Sequence, residues 1–317
     1  MNKIAFLFTL LATVLIGLLP AAPAQAAGAA RTFVSAAGSD ANNCTNVATP
    51  CRHFATAYAV TAANGEIYVL DPANYGSLTI TGPVSIEGHG WASIAPPSSG
   101  NAITINANPG DKINIIGVVL DGTALTSTTG IAFNSGGILN VRDSVIRNFA
   151  FDGIDFKPTS SIVSQLLVTN TVVSDNGGQG IYIAPSGPGT TNGVLSHVEL
   201  ENNLGNGLIA DTATQTINVT VSDSVSANNN GSGIFSNWTG GPGTNVMVRN
   251  STLANNANSG FAAQGTGGTV RVTRSTITGN TTGWAVFTSG VVLSYADNNI
   301  DGNGTVNTEP PSPLTYK

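Results

Sequence analysis

Charge is what this chain has least of: only 9% of its 317 residues are Asp, Glu, Lys or Arg. The 11 Lys and Arg are outnumbered by 17 Asp and Glu, giving a net charge of −6. Nucleic acid and anionic membrane surfaces both reward clustered cations, so neither is an expected partner. Aromatic residues are also scarce, at 6%, yet hydrophobic residues reach 41% and recur too regularly for a disordered chain.

Cysteine is nearly absent. Cys44 and Cys51 with the nearby His53 fall short of the four ligands of a structural zinc site, and no other metal site is expected. In an exported protein the pair is expected to form one disulfide closing a short loop. Long apolar runs are missing beyond residue 19, which leaves no expected membrane span in the rest of the chain. At the start, Lys3, the apolar stretch Ile4 to Leu19 and the small residues of Ala24-Gln25-Ala26 read as a secretory signal over residues 1–26. An N-terminal membrane anchor, the alternative, would call for an apolar run of about 20 residues. The expected location is secreted, periplasmic or cell-surface.

Amphipathic helices are likewise missing, with one exception. Residues Arg52 to Ala62 place Phe54, Ala55, Tyr58 and Ala62 on one helical face. Together with a strand from Thr32 to Ser35 and the cysteine loop, this helix makes residues 27–65 an N-terminal cap. From Ile67 onward the texture is one of short apolar strands (IYVL, LTI, VSI, ITI, INIIGVVL) broken by Gly, Pro and Asn. Without helices between them such strands exclude a doubly wound fold.

What the chain has in abundance is repetition. The pattern of Asp223 to Ser236, DSVSANNNGSGIFS, recurs along the sequence. Its glycine falls at Gly130, Gly153, Gly180, Gly207, Gly233, Gly260 and Gly283, in steps of 23, 27, 27, 26, 27 and 23 residues. Asn176, Asn203, Asn229, Asn256, Asn280 and Asn303 keep the same period. A sandwich has no reason to hold such a period, whereas a solenoid does. If each repeat is one coil, these residues stack about 4.8 Å apart. Each Asn can then hydrogen-bond to its neighbours and adopt the left-handed backbone of a sharp bend.

The repeated NN-x-x-G-[IL] signature resembles the right-handed parallel β-helix of the pectate-lyase-like superfamily, and the chain is most similar to uncharacterised secreted bacterial β-helix proteins. The resemblance implies an all-β fold with three strands per coil and an asparagine ladder, over about nine or ten coils. It covers residues 66–304, followed by a C-terminal tail, 305–317, expected to lie over the last coil.

Strand alternation sorts the repeats into inward and outward columns. Leu139/Val141, Leu166/Val168, Val219/Val221, Val246/Val248, Val270/Val272 and Leu293/Tyr295 are expected inside. So are Ile131/Phe133, Ile154/Phe156, Ile181/Ile183, Ile234 and Phe261. One outward column reads Asn140, Leu167, Val194, Thr220, Met247, Arg271 and Ser294, with no pair of carboxylates. The other contains Asp155, Tyr182, Ile209 and Phe235, with Trp238 in the adjoining loop. This exposed apolar stripe is the expected ligand-binding face, for a polysaccharide or another surface component.

Acid–base candidates are few. Asp155 is expected outward beside Lys157 and Arg147, with Asp152 in a turn. His197 has Asp223 one rung away, and Ser196 is expected to point elsewhere. These would serve a polysaccharide lyase or hydrolase acting on acidic glycans, the alternative function; calcium is expected only in that case, and no other cofactor. The constellation lacks the six or more oxygens of a typical calcium site. Gly88-His89-Gly90 is similar to a polygalacturonase motif, but without its partner residues it reads as a turn. With no complete catalytic set in sight, the sequence favours binding over catalysis.

Overall fold

The computed structural model describes residues 28–123, 125–212, 214–310 and 314–315. The expected signal peptide, residues 1–26, lies outside these. Two sheets account for the architecture, one of 17 strands and one of 9. Strands pair in parallel with those one coil away: Ile154–Phe156 lies between Ile131–Ser135 and Ile181–Ile183 with its residues in register. Long strands such as Val163–Ser174 and Thr190–Glu201 pass through a bend at Asn170 and His197 and so serve two flat faces of the larger sheet. The smaller sheet supplies the third face, one strand per coil. The result is a parallel β-helix with three strands per coil.

Each bend has its own solution. At the bend inside the larger sheet, Asp143, Asn170, His197, Asp223, Asn250 and Arg274 all take φ between 45° and 54°. The next bend carries the asparagine ladder. Asn176, Asn203, Asn229, Asn256 and Asn280 each donate a side-chain amide to the next Asn in the column at 2.9–3.0 Å, ending on Asn303. The left-handed residue is not the ladder asparagine, as expected from sequence, but the one before it. Asp175, Asn202, Asn228 and Asn255 have φ of 55–57°, and Gly279 and Gly302 of 70°. Turning the chain one residue earlier lets the ladder side chain enter the interior.

The periodic glycine exists for lack of space. A Cβ on Gly180 would stand 2.6 Å from the Gly207 carbonyl oxygen, and one on Gly233 would stand 2.6 Å from that of Gly260. Stacked backbones approach too closely here for any side chain.

The inward columns form one continuous core. Leu139, Val141, Leu166, Val168, Val246, Val248, Val270 and Val272 are fully buried. The Phe133 and Phe156 rings stack at 4.4 Å on consecutive rungs. The last coil departs from expectation: Val292 and Ser294 continue the columns of Val270 and Val272, while Leu293 faces outward beside Arg271. Leu293/Tyr295 are therefore not core, and Ser294 is not outward. The short final coil slips by one residue, and a one-residue slip exchanges the two faces of a strand.

The cap is more compact than expected. Its first strand is Ala29–Val34 and its helix Phe54–Val60, with Phe54 and Ala57 buried rather than Ala55; Ala62 belongs to the following strand, Thr61–Val69. Cys44 and Cys51 form a disulfide and are fully buried. Gly88-His89-Gly90 is not a turn between strands but a bulge within Val84–Ile94, where the register breaks between Glu87 and Ala92.

At the other end the tail covers the final coil. Asn303 donates to Asn307 at 3.0 Å, the Trp284 indole donates to the Thr308 carbonyl at 2.8 Å, and Glu309 accepts the Asn298 backbone N–H at 2.9 Å and the Ser294 hydroxyl. These contacts protect an edge that would otherwise be free to pair. Among the described residues no helix is long and apolar enough to cross a membrane.

Candidate functional site

The outer surface of the smaller sheet gathers most of the candidate residues. Asp155, Tyr182, Ile209 and Phe235 occupy successive rungs of one outward column. Two residues further along the strands a second column brings up Asp211, Asn237 and Gln264, which sequence reasoning did not single out. Their signal was available in the period-2 alternation, since they lie two positions after Ile209, Phe235 and Ala262, the last of which continues the first column beside Phe235.

Long side chains lean across rungs and tie the columns together. Lys157 Nζ sits 2.8 Å from Asp155 Oδ2 and 4.7 Å from the centre of the Tyr182 ring. The Tyr182 hydroxyl donates to Asp211 Oδ2 at 3.2 Å. Asp152, in the preceding bend, accepts the Gln179 backbone N–H at 2.6 Å. Arg147 takes no part: it pairs with Asp121 at 3.0 Å.

The electrostatics follow from burial. Asp152 is pushed up to about 6 by loss of water, with the Asp155 charge adding to the shift. Asp155 is raised for the same reason, against the pull of Lys157. Tyr182 is pushed up to about 12 by burial and by the Asp211 carboxylate, so it stays a protonated donor. Two acceptors on this surface, Asp155 Oδ1 and Asn237 Oδ1, are buried without a hydrogen-bond partner among the described residues.

The apolar stripe is less open than expected. Ile209 is only 9% exposed and is effectively covered. Phe235 is half-buried, with Phe287 edge-on at 6.3 Å. Trp238 is committed to its own loops: its indole donates to the Gly241 carbonyl at 3.0 Å and rests against Gly265 and Gly267, where a Cβ would come within 2.4–2.5 Å of it. Tyr182 and Phe235 remain partly accessible, and Phe287, in the second column, is exposed.

His197 and Asp223 do not join this site. They lie on neighbouring rungs at the bend of the larger sheet, across the core from Asp155 and Lys157. Ser196, expected to point away, shares a hydrogen bond with His197 Nδ1 at 2.9 Å. Asp223 accepts the Asn250 side-chain amide at 2.5 Å, and that bond holds its carboxyl below the usual range. Among the described residues no three His, Cys, Asp or Glu side chains converge to hold a metal.

A solenoid of parallel coils with an internal asparagine ladder defines the β-helix class. The right handed beta helix region family matches residues 129–306, and the chain belongs to that family. No curated protein matches it in sequence. Among solved structures it is similar to the A-module of the Azotobacter vinelandii mannuronan C-5 epimerase AlgE4, at 14% identity and a TM-score of 0.43 over 80% of this chain and 91% of that one. It is also similar to pectate lyase Pel9A, at 15% identity and a TM-score of 0.49 over 87% and 72%. A third similar structure is the bacteriophage CBA120 tailspike protein 2, at 17% identity and a TM-score of 0.36 over 75% and 38%.

Proposed function

We propose that this protein is a secreted or cell-surface β-helix that binds polysaccharide along the outer face of its smaller sheet, without turning it over. The observation that carries this reading is the buried, unpartnered Asp155 Oδ1 beside the accessible Tyr182. A buried acceptor left without a donor costs about 1–3 kcal/mol. A sugar hydroxyl is a donor of the right kind once the side chains over Asp155 Oδ1 shift to admit it, and the sugar's C–H face packs on an aromatic ring. Asn237 Oδ1 repeats the arrangement three rungs away, about 14 Å along the axis. Such a span suits several consecutive sugars of one chain.

Binding is favoured over catalysis because the acid–base candidates are divided between two faces. Asp155 and Lys157 neutralise each other, while His197 and Asp223 stand across the core. A lyase or hydrolase needs its acid and base within reach of one bond.

A glycan array probed with the wild-type protein and with a Tyr182→Ala/Phe235→Ala double variant tests the reading. Specific glycan signals lost in the double variant are expected; identical signals from both proteins overturn it. Incubating every bound glycan with the protein, with and without calcium, should give no new reducing ends and no unsaturated products. Their appearance would replace binding with catalysis.

A further inference from the structure

The outer surface of the larger sheet ends, over the last coils, in a cavity of about 520 Å³. Arg249, Arg271 and Arg274 line it with Met247 and Tyr295, and Leu314 of the tail stands on one side. Three of the chain's seven arginines thus meet in one place on a protein of net charge −6.

Register is what assembles them. Arg249 ends the strand Gly243–Arg249, and Arg271 lies on the next strand, Gly268–Thr273, opposite Met247. Arg274 occupies the left-handed bend position that follows. Neighbouring strands are about 4.8 Å apart, so guanidinium groups on them can address one ligand.

These arginines differ from others in the chain. Arg31, Arg142 and Arg147 each face a carboxylate, at 2.5, 3.2 and 3.0 Å. Among the described residues no carboxylate forms a salt bridge with Arg249, Arg271 or Arg274; Arg271 is oriented instead by Asn245 Oδ1 at 3.4 Å. The two nearby carboxylates form hydrogen bonds elsewhere, although Asp223 also feels the Arg249 charge. Asp297 accepts the Thr273 hydroxyl at 2.8 Å and the Arg274 backbone amide at 3.1 Å, and Asp223 accepts the Asn250 amide.

We propose that this cleft binds a tetrahedral oxyanion, a sulfate ester or phosphate group carried on a polymer. A single carboxylate is satisfied by one bidentate arginine, whereas a tetrahedral group with more terminal oxygens can engage more than one guanidinium fork at once. Gathering three cations that form no ion pair among the described residues, with only Arg249 in electrostatic reach of Asp223, is unfavourable until an anion neutralises them. The cleft is separate from the Asp155 face, and its occupation does not depend on that face.

Calorimetric titration of the full chain with heparin, linear polyphosphate and polygalacturonate at low salt tests the proposal. Heparin or polyphosphate should bind at least about tenfold more tightly than polygalacturonate. The stronger of the two tells a sulfate from a phosphate site. An Arg271→Gln/Arg274→Gln variant should lose about tenfold or more of that affinity. Arg271→Lys, which keeps the charge and loses the fork, should lose less, and Arg142→Gln should lose nothing. The Tyr182→Ala/Phe235→Ala variant should bind these polyanions unchanged, which separates this cleft from the proposed glycan face. Equal binding of polygalacturonate, no binding of any polyanion, or wild-type affinity in the double arginine variant with an unchanged thermal melt overturns the proposal.

Discussion

Asn203 donates its side-chain amide to Asn229 Oδ1 at 3.0 Å, and the same oxygen takes the Asn203 backbone amide at 3.1 Å. One buried side-chain oxygen therefore satisfies two donors of the neighbouring coil. Asn229 Nδ2 also reaches the Leu200 carbonyl at 2.9 Å. Asn229→Ala would leave several buried groups without partners. The expected loss is about 3 kcal/mol, read as a lowered urea midpoint. A midpoint unchanged from wild type would mean that the ladder is not a main source of stability.

The periodic glycines give a sharper contrast. Gly180→Ala would push a methyl group to 2.6 Å from the Gly207 oxygen, where backbone must move. Gly82→Ala meets only the Tyr58 hydroxyl at 3.7 Å, an ordinary contact. The first should cost about 2 kcal/mol or more, and the second less than about 0.5. Chemical unfolding of both variants compares them directly.

Asp152 supplies a pH dependence. Its carboxyl titrates near 6 in the folded protein against 3.8 when unperturbed, because burial disfavours its charge. The folded state thus takes up the proton first as pH falls, so this group's contribution to stability grows from pH 6 down to about 4 and is unfavourable above 6. Asp152→Asn removes the charge and keeps an acceptor for the Gln179 backbone N–H. It should stabilise the protein at pH 7, by up to about 3 kcal/mol, and have little effect near pH 4. Urea midpoints at the two pH values check the sign; equal effects at both would refute the assignment.

On the smaller sheet, Asp155→Ala should weaken binding of any glycan found on the array by about tenfold. His197→Ala should leave that binding untouched, since His197 stands across the core. Parallel titrations of the two variants with one glycan decide between the faces.

The sequence displayed the fold through Gly180, Gly207 and Asn203, because stacking forces the same residue types to recur at fixed spacing. It was less informative wherever a coil broke the period. The slip at Leu293 followed from a short final coil, and the bulge at His89 from a local break in register. The site was only half legible. Alternation placed Asp155, Tyr182 and Phe235 on one face, but it could not show that Lys157 leans over Tyr182 or that Trp238 folds onto Gly265. The arginine cleft was hidden altogether. Arg271 looks isolated in its column, and only pairing between coils brings Arg249 and Arg274 beside it.

The ladder also has a sense of direction. From Asn176 to Asn280 each side-chain amide gives one hydrogen to the ladder oxygen of the later coil, and each ladder oxygen accepts from the earlier coil. From Asn203 on, the second amide hydrogen goes to a backbone carbonyl of the earlier coil. Flipping a single amide would break the links on both sides, so the column's orientation is settled collectively. Aligned dipoles in such a chain reinforce one another, and their positive end emerges at the last coil. The interior of this solenoid is therefore polarised along its axis, and its two ends are electrically unlike even where their side chains are the same.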